Sequence, residues 1–180
     1  MSTPNAGNSA TGRPASFPYT LAVFATVLYF ALVVCTFGFV SLATDTDVVS
    51  QADAGPLVGP TATGSAVLTV LLYLLGIGRR YERDLHEAVA ASTGDPVRLP
   101  LGRSVLIGIV SYVVYALVGA IGYSIVTAEL FSVVLFAAGA ALSPYAVAVG
   151  VLAVGIAVAY MLVLGSGGEH PARPLWPWER

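Results

Sequence analysis

Residues 19 to 43 read YTLAVFATVLYFALVVCTFGFVSLA, an unbroken run without one charged side chain. A helix rising 1.5 Å per residue needs about 20 apolar residues to cross the hydrocarbon of a bilayer, so this run predicts a spanning helix with length to spare. One rival reading is a cleaved leader. Ser41-Leu42-Ala43 has the small-x-small form of a signal-peptidase site, and Arg13 stands upstream as a positive flank. The apolar core of such a leader is only about 7 to 15 residues, however, so the longer run is expected to stay as a span.

Working outward, residues 1–18 are rich in small polar residues, proline and glycine, which leaves little apolar surface to offset ordering entropy, and a disordered tail is expected there. Downstream, residues 44–60 carry three aspartates and no arginine. Residues 61–78, TATGSAVLTVLLYLLGIG, are just long enough to span, and residues 104–126, SVLIGIVSYVVYALVGAIGYSIV, form a clean third run. Ser143-Pro144 reads as an N-cap followed by proline at the first helical position, which starts a last span over 144–165.

Residues 128–142, AELFSVVLFAAGAAL, are harder to place. As a helix they reach only about 22 Å, short of a core of roughly 30 Å. Their apolarity on every side, apart from Glu129 and Ser132, also denies them the polar face of an interfacial helix. The expected fold is therefore an all-α, multi-pass transmembrane helical bundle of four spans plus a short embedded helix, with a fifth span over 128–142 as the alternative. Residues 166–180 make a tail in which Trp176 and Trp178 sit among prolines, suited to the headgroup region more than to a partner-binding motif.

The composition agrees. Hydrophobic residues make up 57% of the chain and charged residues 10%, against about 25% charge in soluble domains. Mean hydropathy is +0.83. A net charge of −2 and the lack of any basic stripe argue against nucleic acid as a partner. The expected partners are the lipid bilayer and, beyond it, another membrane protein or a second copy of the chain. Cys35 is the single cysteine, so no internal disulfide can form.

Charge is distributed very unevenly. The segment 79–103 holds five of the eight basic residues, all of them arginine, and the aspartate-bearing segment 44–60 holds none. Arginines near span ends stay on the cytoplasmic side, so the N-terminus and 79–103 are expected in the cytoplasm, in a cell membrane. With four spans the C-terminal arginines join them; with five they do not. Within this segment RRYERDLHEAVAAS, residues 79–92, has Tyr81, Leu85, Ala88 and Val89 at helical spacing on one side. Arg80 with Asp84, and Arg83 with Glu87, are four apart and oppositely charged. It reads as the second helix continued past the membrane, with a stripe that packs back on the bundle or meets lipid or a partner.

Candidate chemistry is scarce. Ionisable residues inside a span mark transport paths or proton relays, and none lies mid-span here. Glu129 sits just after Thr127 at a helix start, where a carboxylate complements the helix dipole. Asp45, Asp47 and Asp53 do not fit a calcium loop, because Val49 falls at a ligand position and no glycine supplies the turn. His86-Glu87 lacks the second histidine of a zinc-protease helix, and His170 lies far away in the tail. Neither a phosphate loop nor a nucleophile elbow occurs. We therefore expect no catalytic residues, no metal and no cofactor, and a protein that is not an enzyme.

Small residues do recur at packing intervals. Ala146, Gly150, Ala153 and Ala157 form one stripe on the last span, and Gly108, Tyr112, Tyr115, Gly119 and Gly122 form another on the third. Such stripes let helix backbones approach closely, and the two phenols need partners if buried. The two faces are expected to meet in the bundle core; the alternative is a tyrosine face that lines a polar cavity.

Overall fold

The computed structural model describes residues 17–45, 57–90, 102–127 and 137–166, with the side chains of 85–90 and 126–127 excepted. Four long helices account for nearly all of these residues: α1 Phe17–Thr44, α2 Val58–Ala90, α3 Gly102–Thr127 and α4 Pro144–Gly165. All four are long and apolar enough to cross a membrane. The chain is an all-α, multi-pass helical bundle.

Local chemistry explains the helix ends. α1 stops where Asp45 enters the left-handed region at φ 51°, a conformation that aspartate tolerates better than most residues. α2 begins three residues before the charge-free run, because Pro60 falls in the first turn, where a missing N–H costs nothing. Its continuation to Ala90 makes it about 50 Å long, so some 13 residues exceed a core of about 30 Å. With its first turn at one edge of the hydrocarbon, the helix would leave the other edge near Arg79, the first of its charged residues. α4 starts at the expected cap: Ser143 is extended (φ −69°, ψ 142°), its hydroxyl accepts from the Ala146 N–H at 3.2 Å, and Pro144 follows.

The helices alternate in direction. Tyr29 of α1 bonds Val149 of α4 and Tyr160 of α4 bonds Pro18 of α1, so residue numbers rise on one helix as they fall on the other. Gly108 lies against Val154 and Gly150, and Tyr112 against Gly150, which makes α3 and α4 antiparallel as well. α2 runs parallel to α4, with Gly78 beside Tyr160 and Tyr81 beside Leu164. Going round the bundle, α1 packs on α2, α2 on α3, α3 on α4 and α4 on α1, while α2 and α4 also touch across the diagonal.

With these directions Thr127, at the end of α3, and Pro144, at the start of α4, lie at the same end of the bundle. Residues 137–142 are helical and run into the Ser143 cap, and Ala137 and Ala140 pack on Val58, Ala120 and Tyr123; residues 128–136, Glu129 among them, lie outside the described set.

Burial is inside-out relative to a soluble domain. The interior is filled by Tyr29, Val33, Leu74, Ile107, Met161 and Leu164. Large apolar side chains such as Phe24, Phe39, Leu72 and Ile125 point outward from every part of the surface, an arrangement suited to lipid and costly in water. Hydroxyls that lie along α2 are not left bare: Thr61, Thr63, Ser65 and Thr69 each donate to a carbonyl three or four residues back in the chain.

Candidate functional site

The α3–α4 contact is built from glycine. A Cβ added at Gly108 would overlap the Val154 side chain and come within 2.8 Å of the Gly150 carbonyl oxygen, and one at Gly150 would lie 3.2 Å from both the Gly108 oxygen and the Tyr112 Cβ. The backbones therefore touch, as small-residue stripes permit. Ala146, Ala153 and Ala157 are fully buried on the same side of α4. The α3 stripe divides, however. Gly119 is buried, whereas Gly122 faces Val58 of α2, because the stripe drifts around the helix and its far end turns toward the other neighbour.

The tyrosines of that stripe are committed to packing. Tyr112 donates to the Ala141 carbonyl at 2.6 Å, and Tyr115, 5% exposed, meets the Phe37 ring edge-on at a centroid distance of 6.1 Å. Phe37 also meets Tyr145 edge-on at 5.2 Å, which joins α1, α3 and α4 at this level. Tyr112 has a second role. Proline at 144 has no N–H to return to the preceding turn, so carbonyls just before Ser143 lose helical partners. The Ser143 hydroxyl donates to the Ala140 oxygen at 2.7 Å, and the Tyr112 hydroxyl takes Ala141.

At the opposite end lies a polar cluster that sequence reasoning did not anticipate. Tyr19 donates to Glu82 Oε2 at 3.0 Å, and Arg79 lies beside the same phenol. Glu82 Oε1 is sealed from solvent and has no hydrogen-bond partner among the described residues. Tyr160 reaches the Pro18 carbonyl at 3.1 Å, directly over Gly78, where a Cβ would stand 2.9 Å from the phenol oxygen. Tyr81 is half-buried and donates to the Leu164 carbonyl at 3.4 Å, turning one member of the proposed stripe back onto α4. The side chains of Leu85, Ala88 and Val89, the rest of that stripe, lie outside the described set, as do His86, His170 and the two tryptophans. Among the residues that sequence could flag, Glu82 stood out only by sitting three positions after Arg79. Nothing local pairs it with Tyr19, 63 positions away.

Midway between these regions Tyr29 donates to the Val149 carbonyl at 3.1 Å, fully buried. Ser111 is also fully buried, and its hydroxyl has no partner among the described residues. What these side chains do chemically is join helices: a phenol on each of the four helices bonds a carbonyl on a neighbouring segment. No set of three or more histidine, cysteine, aspartate or glutamate residues comes together among the described residues.

Comparison with curated proteins and with solved structures finds no match. A family model does match, and it covers residues 12–180, nearly the whole chain. The four apolar helices and the interfaces described above thus belong to a member of the family of unknown function DUF6121.

Proposed function

We propose that the protein is a structural or accessory component of a membrane complex, held in the cell membrane with its arginine-rich end in the cytoplasm. The observation that supports this most is the commitment of the tyrosine face of α3. Tyr112 is bonded to a backbone carbonyl and Tyr115 is packed on Phe37, so the face that would have to line a conduit is occupied by contacts between helices. A protein that moved solutes would need polar groups free to replace water along its path. The arginines at one end and their absence from 44–60 support the cytoplasmic placement. We read the chain as not an enzyme, since the buried phenols of Tyr29 and Tyr160 and the half-buried phenol of Tyr112 are engaged in holding helices together.

Two experiments test the reading. Cysteines placed at Tyr112 and Tyr115 are expected to resist a water-soluble maleimide in intact membranes; rapid labelling would favour a cavity and overturn the packing argument. Native mass spectrometry of the gently extracted protein is expected to find a stoichiometric foreign subunit. A defined homo-oligomer that conducts ions or solutes in vesicles would replace the accessory role with that of a small pore or transporter.

A further inference from the structure

The outer face of α2 changes character over a single turn. Leu68 and Leu72 are 54% and 61% exposed, Gly76 continues their line at the next i+4 position, and a Cβ at Gly76 would meet nothing within 4 Å. Directly above, Arg79, Arg80 and Arg83 are all exposed and fall within an arc of about 100° of the helix surface. Asp84, also exposed, lies at the edge of that arc, while Glu82 is turned inward to Tyr19. Among the side chains described on this face, three guanidiniums stand with one carboxylate, and Arg79 lies in addition beside the Tyr19 phenol. The guanidiniums stand where α2 leaves the hydrocarbon, above an apolar strip with a glycine notch.

We infer that this face binds an anionic phospholipid, with the phosphate held by Arg79, Arg80 and Arg83 and an acyl chain lying along Leu72 and the Gly76 notch. Guanidinium forks match phosphate oxygens two at a time, so three of them at one level favour phosphate over other anions of the headgroup region. The vertical order, charge above and hydrocarbon below, is that of a phospholipid rather than of a soluble anion. A zwitterionic headgroup is disfavoured because its ammonium would have to approach the same cations. The inference is independent of whether the protein serves as an accessory subunit.

The test uses the full-length protein in detergent, incubated with equal amounts of phosphatidylglycerol and phosphatidylcholine of matched chains, and native mass spectrometry to count adducts. Wild type should retain one phosphatidylglycerol with a preference of about tenfold or more, since each arginine at an anionic surface contributes roughly fivefold. Arg79→Gln, Arg80→Gln and Arg83→Gln combined should bring the preference close to unity. Gly76→Leu, which leaves the arginines in place, should lower adduct retention by filling the notch. Equal retention of the two lipids by wild type would overturn the inference without any variant, as would a triple variant that keeps the preference. A co-extracted protein on this face, with no lipid preference once it is removed, would also overturn it.

Discussion

At the scale of single residues, Gly108 is the position where the fold tolerates least. The Cβ of an alanine there would run into the Val154 side chain and the Gly150 carbonyl, and the carbonyl cannot yield without moving a helix backbone. Gly108→Ala is expected to destabilise the bundle by about 1–3 kcal/mol, the usual cost of overpacking. Gly155→Ala on the open side of α4, where a Cβ meets nothing within 4 Å, should stay within about 0.5 kcal/mol of wild type. Thermal unfolding in a single detergent checks the pair. Tyr29→Phe, by removing one buried donor while leaving the ring, should cost about 1 kcal/mol in the same assay. The glycine and alanine stripes were legible from spacing alone, because close approach needs small side chains whatever the partner. The partners of Tyr29 and Tyr160 were not. Those bonds join residues 120 and 142 positions apart, and no local pattern encodes which phenol reaches which carbonyl.

At the scale of elements, the spans could be read from runs without charge, since the bilayer imposes a minimum length on any helix that crosses it. The rotation of α1 could not, because it is apolar around its whole circumference and has no polar face to distinguish lipid side from core side. α3 and α4 are equally apolar and show a side only through their small residues, whereas α2 shows one through its hydroxyls and arginines. The Ser143-Pro144 boundary was legible because cap and proline act within one turn. Its dependence on α3 was hidden, since Tyr112 supplies the donor that the broken turn lacks. Ser143→Ala removes both the cap to Ala146 and the donor to Ala140, and is expected to cost about 1–2 kcal/mol. Hydrogen exchange should then quicken at the first turn of α4 while the middle of α4 keeps its protection.

At the scale of the whole molecule, alternating directions place the start of α1, the extension of α2, the start of α3 and the finish of α4 at one end. A reporter fused after Arg180 should therefore score on the same side as one fused before Phe17, and on the cytoplasmic side if the arginines set orientation. Opposite scores would break the antiparallel assignment of α3 and α4. Cys35 offers an intrinsic probe of the outer surface. It lies exposed on α1 well within the span, so in intact membranes it should ignore a charged maleimide and react fully once the membrane is dissolved in a denaturing detergent.

The two phenols that bind α1 and α4 to each other carry a consequence for how the protein is made. Tyr29 reaches forward to a helix that emerges from the ribosome more than a hundred residues later, and Tyr160 reaches back to the first turn of the first helix. Until α4 enters the bilayer, the hydroxyl of Tyr29 has no Val149 carbonyl to meet, and Gly78 and Pro18 face an unfilled seam. The newborn chain thus stays open along one side through three insertions and shuts only with the fourth. Chains interrupted before Pro144 should be cleared by membrane proteases, whereas chains that reach Gly165 should persist, so completion itself serves as the proof of quality.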